Sequence, residues 1–256
     1  MEIVKIPFSC VRGELTIRGE LLRAPGNGPL PGAIVSHEFL KNRRSVEQYA
    51  RALAEAGFAA MIYDFCGGGI GGKSDGRTRD MTVLTELADL NTVMDHALAR
   101  PDVQRKPLFL LGCSQGGFVS AMAAARRPQD VSKLALFYPA LSIPDDARRG
   151  RMIVYFFDPA NVPEVLGRVP ITLGQEYALT AQKLNAYDAI TGWPGQVLLV
   201  HGTRDRIVNI DYSCRAAKVY GEHCRFVTIE GAGHGFRGKN AEEAAALLVD
   251  FASESK

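Results

Sequence analysis

The sequence predicts an α/β fold with a mostly parallel central sheet and helices on both faces. Three observations carry this. Short apolar runs recur along the chain and are continuous rather than alternating, as in strands covered on both faces. Helix-length segments separate them, the rhythm of parallel α/β units. One interval is far too long for a simple connection, which marks an insertion.

Taken in order, the chain opens with strand-like stretches at residues 2–8 and 14–24, divided by a turn at Arg12-Gly13. A Pro/Gly-rich surface loop, residues 25–32, follows. The apolar runs are then residues 33–35, 59–63, 108–111, 134–138, 197–200 and 225–229. Between the first two, Ser45-Val46-Glu47-Gln48 has capping-box spacing, Val46, Tyr49, Ala50 and Leu53 share a helical face, and Gly57 can stop the helix. A second helix is expected over about 82–100, with Val83, Leu87, Leu90, Met94 and Leu98 on one stripe and Pro101 beyond its end. Further helices are expected at 115–127, 211–220 and 241–251. Nearly sixty residues separate Tyr138 from Val197, and they are rich in aromatics: Tyr155, Phe156, Phe157, Tyr177, Tyr187 and Trp193. We read residues 140–195 as a cap inserted into a single domain, 1–256, with an ordinary helical insertion as the alternative.

Composition bounds the function. The chain has 256 residues, 46% hydrophobic and 23% charged. At this length one domain buries about three quarters of its unfolded surface and needs no disulfide or metal staple. Lys+Arg 30 against Asp+Glu 28 leaves a formal charge of +2, too balanced for a protein that grips nucleic acid. No apolar run approaches the ~20 residues that span a bilayer, and residues 1–7 lack the apolar stretch of a signal peptide. Cysteines at 10, 66, 113, 214 and 224 form no metal spacing and read as reduced thiols, so the expected location is cytoplasmic.

Gly112-Cys113-Ser114-Gln115-Gly116 follows one strand and opens a helical segment. This is G-x-S-x-G at a sharp strand-to-helix turn, where side chains at either glycine would collide with neighbouring backbone. The turn lifts the serine hydroxyl clear of the sheet, beside a helix N-terminus that favours negative charge. A serine needs a base to take its proton, and the base needs an orienting acid. Asp205 follows the strand at 197–200, and His234 follows the strand ending at Ile229. Each has a plain alternative, Asp205 as a helix cap and His234 as a loop histidine. Their joint placement with Ser114 points to a triad. His201, directly after its strand, reads as a packing or hydrogen-bonding residue beneath the acid loop.

Acyl transfer also needs oxyanion donors, each worth ~3–4 kcal/mol in the transition state. The backbone N–H groups of Gln115 and of Phe39, in Ser36-His37-Glu38-Phe39-Leu40, are the expected pair. His37 is then a loop-shaping residue.

On these motifs, the chain from about residue 17 to 251 resembles a bacterial α/β-hydrolase of the cinnamoyl (feruloyl) esterase type. That family has a His-Gly-Phe oxyanion loop, Gln after the nucleophile and a small cap between the sixth and seventh strands. Glu38 departs from it by replacing the glycine, which could narrow the acyl pocket. The resemblance implies that Asp146 and Tyr177 bind a substrate phenolic hydroxyl. Without it, Asp146 reads as a helix N-cap and Tyr177 as a cap-core aromatic. Tyr155 and Phe157 are expected to shape the acyl pocket with them.

Gly67-Gly68-Gly69-Ile70-Gly71-Gly72-Lys73-Ser74 also satisfies the P-loop pattern. A P-loop lysine must open a helix, however, and the chain continues Asp75-Gly76-Arg77-Thr78-Arg79-Asp80, which is hostile to one. The expected function is therefore a serine hydrolase acting on small carboxylic esters without metal or organic cofactor, losing activity at acid pH as His234 takes a proton. A serine peptidase or thioesterase on the same fold, an idle binding module and, least, an NTP-binding protein through residues 67–74 are the alternatives. The free thiols and apolar cap would permit a homodimer, and nothing demands one.

Overall fold

The computed structural model describes residues 1–153, 155–168 and 171–254. In chain order its main elements begin with β1 (Val4–Arg12), β2 (Leu15–Arg23), β3 (Gly32–Ser36), α1 (Glu47–Glu55), β4 (Ala59–Tyr63) and α2 (Val83–Ala99). Then come β5 (Leu108–Cys113), α3 (Gln115–Arg126), β6 (Val131–Phe137) and α4 (Ile143–Arg148). Two short hairpins follow, β7 (Arg151–Met152) with β8 (Tyr155–Phe156), and β9 (Val165–Arg168) with β10 (Ile171–Gly174). The chain continues through α5 (Gln175–Gln182), α6 (Ala186–Ile190), β11 (Val197–Gly202), α7 (Asp211–Tyr220), β12 (Cys224–Ile229) and α8 (Lys239–Ser253).

Eight strands form one sheet in the order β1-β2-β4-β3-β5-β6-β11-β12. The β1–β2 and β2–β4 pairs are antiparallel, and every later pair is parallel. The continuous apolar runs are explained by what covers them. Ile34, Met61, Leu110, Leu134 and Leu199 face one core with Leu87, Leu90 and Phe118 of α2 and α3. Their neighbours Val35, Ile62, Phe109, Ala135 and Leu198 face the other, with Tyr49 and Leu53 of α1 and Leu248 and Phe251 of α8. Because side chains alternate along a strand, a strand with helices on both faces must be apolar at every position.

One start signal is corrected. The chain does not begin its first helix at Ser45. A 3-10 turn, Arg43–Val46, precedes α1, and its cap is Asn42, whose side chain accepts from the N–H of Arg44. The Ser45 hydroxyl is engaged elsewhere, on Glu38 Oε2 at 2.5 Å and Asn42 O at 3.0 Å. Gly57, at φ +94°, does close α1. For α2, Thr82 and Thr85 form a reciprocal capping box.

The parallel strands aim their C-terminal ends at one rim, where β3, β5, β11 and β12 deliver the loop expected from sequence to supply an oxyanion donor (residues 36–40, the oxyanion loop), the serine turn and the two loops carrying Asp205 and His234. The 139–196 segment packs there. Thr78 Oγ1 donates to Thr172 O at 2.7 Å, and Arg79 pairs with Glu164 at 3.0 Å.

The serine turn depends on close backbone approach. A Cβ on Gly112 would lie 2.2 Å from Gly116 O and 2.6 Å from Gly117 Cα, and one on Gly116 would lie 2.5 Å from His37 O. All of these are backbone atoms of packed elements, which cannot yield cheaply. Gly112→Ala is expected to cost about 3 kcal/mol and to lower Tm by roughly 6–12 °C. Gly28→Ala, whose Cβ would meet open space, should stay within about 2 °C of the parent in the same thermal melt.

Candidate active site

Ser114 stands between β5 and α3 with φ +52° and ψ −118°, a conformation L-residues adopt only when surroundings impose it. Its carbonyl is held by the N–H groups of Gly117 at 2.9 Å and Ala140 at 2.8 Å, and its own N–H donates to Phe137 O at 2.9 Å. The hydroxyl is thereby fixed at the rim, 2.8 Å from His234 Nε2. His234 Nδ1 lies 2.7 Å from Asp205 Oδ2. The three residues named from sequence thus form one hydrogen-bonded series.

Asp205 is anchored from several sides. Its Oδ1 accepts from the N–H groups of Ile207 at 2.9 Å and Val208 at 3.0 Å. Oδ2 also meets His201 Nε2 at 3.1 Å. His201 is fully buried, with Nδ1 2.7 Å from Ser213 Oγ, so Nε2 carries the proton and points it at Asp205 and Val208 O. Burial opposes ionisation of Asp205, but the hydrogen bonds of His201 and His234, the charge of His234 and the Val208 N–H outweigh it and hold the carboxyl far below the usual range.

The oxyanion loop is fixed as firmly. His37 is buried, with Nδ1 2.7 Å from Glu38 O and Nε2 accepting from Phe65 N–H at 3.1 Å, which sets its tautomer. Burial also pushes its pKa down. Leu40 N–H donates to Gly68 O at 3.0 Å, and Ile70 N–H to Leu40 O at 3.2 Å. Among the described residues the backbone N–H groups of Phe39 and Gln115 meet no acceptor, so both are available. The Glu38 side chain turns to Ser45 and to the Tyr138 hydroxyl, which donates to Oε1 at 3.3 Å. Tyr138, with φ +38°, sets its ring edge-on against His234 at 4.9 Å. The residue that departs from the cinnamoyl esterase pattern thus ties the oxyanion loop to the wall behind the imidazole.

A second polar chain lies under Gln115. Its Nε2 donates to Glu86 Oε2 at 2.7 Å, and its Oε1 accepts from the Tyr177 hydroxyl. Glu86 is 1% exposed. Burial pushes its pKa well up despite the Gln115 hydrogen bond, with the Asp89 charge adding to the rise.

The sequence-named binding residues divide. Asp146 is half-buried on α4 and lines a cavity with Asp205. Tyr177 is 2% exposed, its ring 5.6 Å from that of Phe39 and its hydroxyl already engaged by Gln115. In this arrangement it offers no hydroxyl to a ligand and positions Gln115 instead. Tyr155 packs over Gly167 of β9, and Phe157 bonds to Gly150 O through its N–H at 2.8 Å and packs on the core. Neither makes a hydrogen bond or ring contact with the triad among the described residues. Sequence reasoning missed Tyr138 and Glu86, and saw His201 without its bond to the acid. The four-residue spacing from His201 to Asp205 across a tight loop was the available signal.

The P-loop look-alike has another use. A Cβ on Gly69 would lie 1.5 Å from Lys41 O, so the glycine-rich stretch packs directly against the oxyanion loop. Lys73 N–H donates to Asp64 Oδ2 at 2.7 Å and Ser74 Oγ to Asp64 O at 2.5 Å. Only a three-residue 3-10 turn, Thr78–Asp80, comes before the α-helix at Val83, so the lysine opens no helix that could cradle a phosphate.

The sequence model of the serine aminopeptidase S33 family matches residues 33–159. The chain has the α/β-hydrolase fold. Among solved structures, the chain is similar to Est1E from Butyrivibrio proteoclasticus with ferulic acid bound, at 28% identity and TM-score 0.88, covering 96% of this chain and 97% of that one. It shares the fold of the α/β hydrolase GrgF from Penicillium sp. sh18 (19% identity, TM-score 0.78, 98% of each chain). It shares it also with the thioesterase domain from the curacin biosynthetic pathway, at 15% identity and TM-score 0.68, over 96% and 99% of the two chains. No helix among the described residues is long and apolar enough to cross a membrane.

Two outcomes follow from this geometry. Because the Asp205 carboxyl is held low, it contributes stability above the ordinary carboxylate range, and that contribution fades as pH falls through about 4 toward its lower folded value. In urea titrations the stability gap between the parent and Asp205→Asn should be widest near neutrality and narrow steadily below about pH 4. Glu38→Ala strips the buried Tyr138 hydroxyl of its carboxylate acceptor and should cost about 1–3 kcal/mol. Adding Tyr138→Phe to Glu38→Ala should cost less than the two single changes summed, in a double-mutant cycle.

Proposed function

We propose that this hydrolase cleaves carboxylic esters through an acyl-enzyme formed on Ser114. The observation that carries the reading is the unbroken series from Ser114 Oγ to His234 at 2.8 Å and from His234 to Asp205 at 2.7 Å. Ser114 Oγ attacks the ester carbonyl carbon as its proton passes to His234 Nε2. Asp205, already ionised, accepts from Nδ1–H and stabilises the imidazolium. The carbonyl oxygen becomes an oxyanion and takes the free N–H groups of Gln115 and Phe39. Collapse expels the alcohol, protonated by His234, and water then repeats the sequence to release the acid. The 140–195 segment acts as a cap on one domain and, through Tyr177, fixes the Gln115 side chain.

The similarity to a protein crystallised with ferulic acid supports hydroxycinnamoyl esters among the substrates, with Asp146 as the polar contact at the far end of the acyl group. The serine aminopeptidase description of the family and the thioesterase neighbour favour a second reading, peptidase or thioesterase, on the same triad. Parallel assays of ester, thioester and aminoacyl-peptide substrates separate these. We read the chain as a cytoplasmic protein working on small molecules.

Ser114→Ala should cut turnover of 4-nitrophenyl butyrate by at least about 10⁴-fold and abolish labelling by a fluorophosphonate probe. Normal turnover in that variant would sink the mechanism.

A further inference from the structure

A cavity of about 260 Å³ lies between α4 and the loop that carries Asp205. Its lining includes Arg149, Arg151 and Arg206 together with Asp146 and Asp205, the Asp205 side chain itself being fully buried. Asp205 has nothing left to give, since both oxygens are taken by histidine and backbone donors. Asp146 is bonded by Ser142 and half-buried, and burial pushes its pKa up against the pull of Ser142, Arg151 and Arg149. Among the described residues, none of the three arginines has a carboxylate within ion-pair distance. Arg151 reaches only Ile153 O, at 3.4 Å.

The neighbouring charges do not relieve this excess. Asp145 is closed by Arg148 at 2.6 Å and by the Tyr212 hydroxyl at 2.8 Å. The contrast with other arginines is instructive: Arg43, Arg100 and Arg127 each meet a carboxylate at 2.9 Å or less. A concave wall with surplus guanidinium charge, open to water at Arg149 and Arg206, fits an anion with two or three oxygens in a plane or tetrahedron. The cavity reaches Asp205, which only the imidazole of His234 separates from the Ser114 hydroxyl.

We propose that this cavity binds an oxyacid anion, carboxylate or phosphate, carried by the substrate, so that the preferred ester has a negatively charged far end. This rests on the esterase reading and narrows it. Arg149, Arg151 and Arg206 hold the anion, and Asp146 limits the charge that the cavity accepts.

The test compares mono-4-nitrophenyl adipate with 4-nitrophenyl hexanoate, acyl chains of equal length differing in one carboxylate. At low ionic strength kcat/KM should favour the adipate by about tenfold, and ~0.5 M NaCl should shrink the ratio. In the Arg149→Gln, Arg151→Gln, Arg206→Gln triple variant the ratio should fall to about one or below. Asp146→Asn should raise it. A parent ratio at or below one, or a ratio unchanged in the triple variant, overturns the proposal. Should neither ester turn over, the esterase reading falls while the anion site is still decided by calorimetry on Ser114→Ala with monomethyl adipate and with inorganic phosphate. Saturable binding of either, lost on adding the three arginine changes, supports the site and identifies the group it takes. No binding of either overturns it.

Discussion

Steric crowding around a single residue organises this molecule. Ser114 is held in a left-handed backbone conformation because β5, α3 and the loop after β3 press together with no room for side chains at Gly112 or Gly116. Strain of this kind, on the order of 1–3 kcal/mol, persists only where packing over-determines it. Here the packing is supplied by two cores, one on each face of the sheet, so the hydroxyl's position is inherited from the whole domain. Removing that crowding would free the serine to relax into the helix, and the imidazole would have nothing to meet.

Around this point the polar groups are arranged as supports. Glu38 and Tyr138 brace the oxyanion loop against the back of His234. Glu86 and Tyr177 grip the two ends of the Gln115 amide, leaving its backbone N–H exposed to the site. Burial raises the Glu86 pKa, because an ionised carboxylate in that dry setting would have to be stabilised by a charge the surroundings do not provide. Two buried networks thus support the loops that carry the Phe39 and Gln115 N–H groups.

Much of this was legible in the sequence where local chemistry forces the outcome. Continuous apolar runs exposed the two-sided sheet, and G-x-S-x-G between a strand and a helix exposed the turn. Asp205 and His234 could be found because the fold delivers them on loops after known strands. Residues whose roles depend on distant partners were not legible. Glu86 sits on an unremarkable helix position, and only its proximity to Gln115, 29 residues away, gives it a role. Tyr155 and Phe157 were legible only as aromatics of the insertion, because composition cannot say which way a short hairpin turns its side chains. Ser45 had the spacing of a cap, yet Asn42 reached the open N–H groups first.

The double claim of two imidazoles on one carboxylate has a dynamic consequence. If the ring of His234 swings away from Ser114, Asp205 still keeps His201 and two backbone N–H groups. The acid is therefore a stationary hinge-post, and its loop does not have to reorganise each time the base moves. Motion of the imidazole can be confined to one side chain, with the scaffold beneath it at rest.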